Sequence, residues 1–217
     1  VAEDGLYSNT VGWYGPGMNI HRTPFAGRNF EYYSEDAFLS GVLGKAEVYG
    51  AAQKGMYSFI KHFAINDQET HRDDYGIATF VEEQAIREIY LKPFEMTILN
   101  NEVEITYNEA VKEEGVIVGF EQKKTTMSAA SAVMTSFNRI GATWAGGHYN
   151  LITEVLRNEW GFNGFVLTDY EVGAGKGSYM DTLQSLAAGG DAKLKTVGMD
   201  ALFGFDISKH PEYQGMG

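Results

Sequence analysis

Cysteine is absent from the 217 residues. This excludes a disulfide scaffold, a thiolate metal site and a cysteine nucleophile. Positive charge is scarce, since 17 basic side chains against 29 acidic ones leave a formal net charge of −12. Such a surface has no electrostatic grip on nucleic acid or on an anionic membrane. No uninterrupted apolar run approaches the ~18 residues of a membrane span, and Val1–Tyr7 does not read as a signal peptide. A cytoplasmic setting is the resulting expectation. Disorder is excluded too, because 44% apolar residues suffice for a core and 21% charged residues are ordinary for a folded domain. What remains is one domain whose partner is a neutral or polar small molecule.

Glycine and aromatic residues are plentiful instead. The 26 glycines suggest many tight corners between strands, loops and helices. The 13 Tyr, 13 Phe and 3 Trp have two readings, core packing or rings that stack on sugar faces. Composition does not choose between them.

The chain reads as strands alternating with helices. A short strand within 11–20 leads into a polar, aromatic loop. Ser34 reads as an N-cap, with Glu35 and Asp36 in the first turn of a helix whose period carries Leu39, Val42, Leu43, Ala46 and Tyr49 to a stop at Gly55. Residues 56–63 read as a buried strand ending at Lys61-His62, followed by a long loop over 64–78. Thr79 and Glu82 match a capping box for a helix that should kink or restart at Pro93. Residues 101–126 read as a peripheral, hairpin-like excursion. A second buried strand spans 131–137, and Asn150 can cap a helix closed by Gly161. The Asn163-Gly164 turn then enters a strand over 165–170. A short helix around 180–188, a strand from Asp191 to Val197 and an irregular tail over 200–217 complete the reading. Such alternation implies a parallel sheet covered by helices.

In a parallel α/β barrel, reactive residues lie at the C-terminal ends of strands. That rule selects Asn19–Arg28, Lys61-His62, Phe137-Asn138-Arg139 and Asp169-Tyr170. One carboxylate ringed by cations, a histidine and aromatics makes a plausible sugar subsite. The cations should hold Asp169 ionised by lowering its pKa, suiting it to attack or stabilise an oxocarbenium-like centre. Each residue also has a plain structural reading. Asp169 can cap a helix, Lys61-His62 can pair with surface acids, and Arg28 can staple a loop. Shared strand-end placement favours the site. His62, Asp67 and His71 could be read as metal ligands, but their spacing matches no coordination pattern. No metal or cofactor is therefore expected.

The segments 16–36 (PGMNIHRTPFAGRNFEYYSED), 60–72 (IKHFAINDQETHR), 82–95, 132–147 (AVMTSFNRIGATWAGG) and 151–170 (LITEVLRNEWGFNGFVLTDY) strongly resemble glycoside hydrolase family 3, the β-glucosidase family. The resemblance implies that Asp169, in the TDY motif, is the nucleophile that forms a glycosyl-enzyme. It implies that Arg28, Lys61 and His62 hydrogen-bond the sugar in the first subsite. Met134 and Phe137 stand where the family places a subsite methionine and, usually, a tyrosine; the phenylalanine lacks that hydroxyl. Tyr170 replaces the commoner Trp beside the leaving group.

There are departures from the family pattern. A further subsite aspartate is expected upstream, and Asp4 is not in its context. The family's general acid/base usually comes from a second domain, and the histidine loop of one branch is absent here. Glu69 or His71 are the only stand-ins. The expectation is thus a (β/α)8 TIM-barrel-like domain lacking its first strands and the following α/β sandwich. Its implied activity is retaining exo-hydrolysis of terminal β-D-glucosyl residues, on a small β-glucoside or oligosaccharide. The alternative is a non-catalytic, sugar-binding remnant of such a barrel.

Overall fold

A computed structural model describes residues 1–70, 72, 76–170 and 179–194. Helix α1 (Ala2–Tyr7) and strand β1 (Gly12–Trp13) open the chain, and α2 (Ala37–Gln53) leads to β2 (Tyr57–Phe63). A two-residue β3 (Ala78–Thr79) precedes α3 (Glu83–Ala85), which continues as a π-helix over Ile86–Tyr90 and restarts as α4 (Lys92–Ile98). Pro93 sits in the first turn of α4, where its missing N–H costs nothing. Next come β4 (Glu102–Glu113), β5 (Val116–Ser128), β6 (Ala132–Thr135), β7 (Arg139–Ile140) and β8 (Thr143–Trp144). The π-helix Asn150–Glu159, β9 (Phe165–Tyr170), α5 (Thr182–Ala187) and β10 (Ala192–Leu194) end the described part. The strand expected to run on to Val197 and the tail over 200–217 lie outside it.

Five strands form one parallel sheet in the order β1-β2-β6-β9-β10. β6 is buried at all four positions and β9 at its inner four, as expected of strands covered on both faces. Phe63 anchors the helical layer, with its ring edge-on to Phe94 at 5.2 Å and to Trp160 at 5.9 Å between centroids.

The α2 period is real, but it marks the wrong face. Leu39, Val42, Leu43 and Tyr49 are exposed, whereas Ser40, Gly41, Gly44, Val48, Ala51 and Ala52 are buried. Close packing against α4 explains this. A Cβ on Gly41 would lie 2.6 Å from Met96 Sδ, and one on Gly44 would lie 2.9 Å from Met18 Cε. Small residues therefore face the neighbour and large ones face outward.

Three caps also differ from the sequence reading. The α2 cap is Asp36, whose carboxylate accepts from Leu39 N at 2.7 Å, while Ser34 Oγ accepts from Asp36 N. Thr79 is consumed by β3, so Glu82 takes the cap position without a side-chain bond. Asn150 lies inside its helix, and His148 Nδ1 accepts from Leu151 N at 3.2 Å instead. At α2 and at the Asn150–Glu159 helix the shift follows from a neighbour better placed to meet the orphan N–H groups.

The turn into β9 is held more firmly than its Asn-Gly sequence requires. A Cβ on Gly164 would lie 2.4 Å from Ser131 O, so only glycine fits. Arg157 donates to Gly164 O at 2.6 Å and to Asp191 at 2.9 Å, and Asp191 accepts from Val166 N at 2.7 Å.

β4 and β5 pair only with each other, as an antiparallel hairpin outside the five-stranded sheet. Val103 is buried at its base, whereas Val116, Ile117, Val118 and Phe120 are exposed near its tip. Glu109 faces Glu121 across the ladder, and Lys123 pairs with both. Replacing residues 106–124 by a short turn should move Tm by no more than about 2–4 °C, because little apolar area is lost. A calorimetric scan checks this, and a collapse of Tm would make the hairpin integral to the core.

Candidate active site

The pairing of β1 with β2 places the key dipeptide. Beyond β1 the pairing continues as Lys61 N to Pro16 O (3.0 Å) and Met18 N to Lys61 O (2.8 Å). Asn19, itself buried, then brackets the His62 peptide. Its Nδ2 donates to His62 O, and its Oδ1 accepts from His62 N, both at 2.8 Å. Asn19→Ala should cost roughly 2–4 kcal/mol, since it strands a buried donor and a buried acceptor. Urea denaturation measures this, and an unchanged midpoint would mean the clamp is replaceable.

His62 is 1% exposed, and its ring is held from both sides. Arg28 Nη2 lies 3.0 Å from Nε2, and the Tyr32 hydroxyl lies 3.3 Å from Nδ1. Arginine can only donate, so Nε2 accepts and the proton is assigned to Nδ1. Tyr32 in turn accepts from Asn66 Nδ2 at 3.0 Å. Burial, then the charges of Arg28, Lys61 and Arg72, push the His62 pKa well below its usual value. The ring is therefore neutral.

Asp169 lies at the end of β9, 8% exposed. Its Oδ1 accepts from Tyr170 N at 2.7 Å. Its Oδ2 lies 3.4 Å from His62 Nε2, yet it receives no hydrogen bond. The tautomer explains why: the lone pair of Nε2 is turned to Arg28, and no proton lies between the ring and the carboxylate. The contact is a juxtaposition, not an ion pair.

The sequence reading expected surrounding cations to lower the Asp169 pKa. The structure reverses that. Burial raises it, and the Tyr170 N–H with Arg28, Arg72 and Lys61 only partly offsets the loss of solvent.

The cations themselves are tied together by two carboxylates. Glu31 bridges Arg28 at 3.0 Å and Lys61 at 3.1 Å. Glu69 bridges Arg28 at 3.1 Å through Oε1 and Arg72 at 2.9 Å through Oε2. Arg72 also lies over the Phe137 ring, 4.2 Å from its centroid. Arg28, His62 and Asp169 thus meet directly, Lys61 joins through Glu31, and Phe137 joins through Arg72. Met134 is buried in β6, in register with Leu167, and Tyr170 is exposed at the end of β9. His71 lies outside the described residues.

Residue-by-residue reading missed Asn19, Glu31, Tyr32, Asn66 and Arg72 as members of this network. All five lie inside segments singled out in the sequence, but their roles depend on contacts across 30 to 65 positions, such as Tyr32–His62, Asn19–His62 and Arg72–Phe137. The geometry offers a buried carboxylate oxygen with no donor, a neutral imidazole and a row of N–H donors converging on one end of a parallel sheet.

Residues 11–112 and 108–199 match the Glycosyl hydrolase family 3 N terminal domain. The chain belongs to glycosyl hydrolase family 3. Both matches end or begin within β4, so the family pattern is interrupted at the hairpin. A beta-glucosidase of Ruminococcus albus is 40% identical over 156 residues, 72% of this chain and 13% of the relative. Thermostable beta-glucosidase B of Acetivibrio thermocellus is 35% identical over 182 residues, 84% of this chain and 20% of the relative. The structure of beta-glucosidase 3B from Thermotoga neapolitana in complex with alpha-D-glucose superposes with a TM-score of 0.69 at 33% identity. That superposition covers 88% of this chain and 22% of the other. This family 3 chain therefore spans about an eighth to a fifth of the relatives it matches.

Proposed function

We propose that this chain carries the first sugar subsite and the nucleophile of a retaining, exo-acting β-glucosidase. The observation that carries the reading is Asp169 Oδ2, a buried carboxylate oxygen that no donor among the described residues engages. It is the atom free to attack. Oδ2 would bond to the anomeric carbon as the glycosidic C–O bond breaks, and the leaving oxygen would take a proton from a general acid. Water would then release the sugar and restore the carboxylate. Arg28 and Lys61 would donate to the sugar hydroxyls, and His62 would accept from one of them. Met134 and Phe137 would line the subsite, and Tyr170 would flank the leaving group.

Neither bridging carboxylate suits the acid/base role. Both oxygens of Glu69 already accept from guanidinium groups, and Glu31 is shared between Arg28 and Lys61. We place the acid/base outside the described residues, in a further C-terminal domain of the same protein. The substrate is a small β-glucoside or oligosaccharide with a terminal non-reducing β-D-glucosyl unit. That two of the relatives are beta-glucosidases supports the sugar.

Covalent capture tests the nucleophile. An aryl β-glucoside with an activated leaving group should glycosylate the chain, and mass spectrometry after an acid quench should find one hexosyl adduct on the peptide holding Asp169. Saturable glucose binding with no adduct would favour a sugar-binding remnant instead.

A further inference from the structure

The two loops that carry the candidate site have a second face. Asn66 turns toward Tyr32, and Phe137 toward Arg72. Their immediate neighbours, Asp67 and Asn138, line a separate cavity of about 750 Å³ that shares no lining residue with the Arg28–His62–Asp169 cluster. Asp67 is 7% exposed and Asn138 1%. Neither Asp67 oxygen receives a hydrogen bond, and Asn138 Oδ1 receives none from any described residue. The Ile20 peptide N–H leans toward Asp67 but falls short of bonding geometry. Two residues that line one cavity thus carry three buried acceptors without donors among the described residues, an arrangement that is costly unless a ligand or solvent supplies them.

We propose that this cavity is a second saccharide-binding site, in which vicinal hydroxyls of a hexose or disaccharide donate to Asp67 and Asn138. The volume lies within the usual 300–1,000 Å³ of small-molecule sites and far exceeds what one cation needs. A cation is further disfavoured because the cavity offers a single carboxylate and counts Arg22 among its lining residues. An anion is disfavoured because the buried groups are acceptors. A neutral polyol meets both conditions. Arg22 and Gln68 add polar residues to the lining, and Phe80 and Ile89 add apolar ones suited to the C–H face of a pyranose. This inference stands on the cavity alone and does not rest on Asp169 being a nucleophile.

Calorimetric titration of the protein with methyl β-D-glucopyranoside and with cellobiose tests it. Two equivalents should bind. Asp67→Leu should weaken one of them about 10–100-fold, as expected for losing hydrogen bonds to a charged group. Ala85→Phe should weaken the same equivalent by filling the cavity while leaving every polar group in place, so a misfolded Asp67 variant cannot decide the matter. Arg28→Ala should affect only the other equivalent. A crystal soaked with cellobiose should show sugar density against Asp67 and Asn138. A single equivalent that survives both Asp67→Leu and Ala85→Phe, or density for ordered water alone in the cavity, would overturn the proposal. Loss of binding confined to Arg28→Ala bears on the Asp169 site and leaves this one intact.

Discussion

Asp169→Asn should abolish turnover in a protein that includes the C-terminal domain proposed above, lowering kcat by about 10⁴-fold or more, as removal of a covalent nucleophile does elsewhere. The substitution is nearly isosteric. The Tyr170 N–H can still donate to the amide oxygen, so the fold should be kept while the attacking oxygen is lost. The 217-residue chain alone should give a different deficit. On the proposed placement of the general acid in a further domain, it should hydrolyse activated aryl β-glucosides at trace rates and cellobiose not at all, since acid catalysis contributes about 10²–10⁴-fold. Extension should restore both activities. Initial rates on the two substrates for three proteins separate the roles. Robust cellobiose hydrolysis by the short chain would remove the need for an outside acid and return Glu69 and His71 as candidates.

Asp67→Asn should stabilise the sugar-free protein, and by an amount that grows with pH. Burial raises the Asp67 carboxyl from 3.8 to about 7, with the Ile20 N–H and Arg22 opposing it only weakly. A carboxyl with a raised folded-state pKa keeps its proton longer in the folded than in the unfolded chain. Wild-type stability therefore falls as pH rises from about 4 to about 7, where the unfolded chain has already released that proton. At roughly 1.4 kcal/mol per unit, the full difference is about 4 kcal/mol above pH 7. The asparagine variant has no proton to lose across that window. Urea midpoints from pH 4 to pH 8 should diverge, with the variant ahead at high pH. Parallel curves would mean that Asp67 is solvated or partnered in the folded state.

Much of this protein was legible in its sequence. The five strands were separable because buried parallel strands are short apolar runs bounded by turn signals, and β2, β6 and β9 carry residues with chemistry to offer near or just past their C-terminal ends. The ordered motifs around Arg28, Lys61-His62 and Asp169 pointed to the family, since local sequence records which side chains a strand end presents. Three things needed the tertiary structure. The face of α2 that is buried depended on how closely α4 approaches, a distance that periodicity does not contain. The protonation of Asp169 and His62 depended on burial against neighbouring charge, and burial won at the carboxylate although three cations surround it. The turning of Asp67 and Asn138 away from Asn66 and Phe137 depended on loop geometry. Adjacent residues point to opposite sides of a loop, and only the packed chain decides what lies on each side.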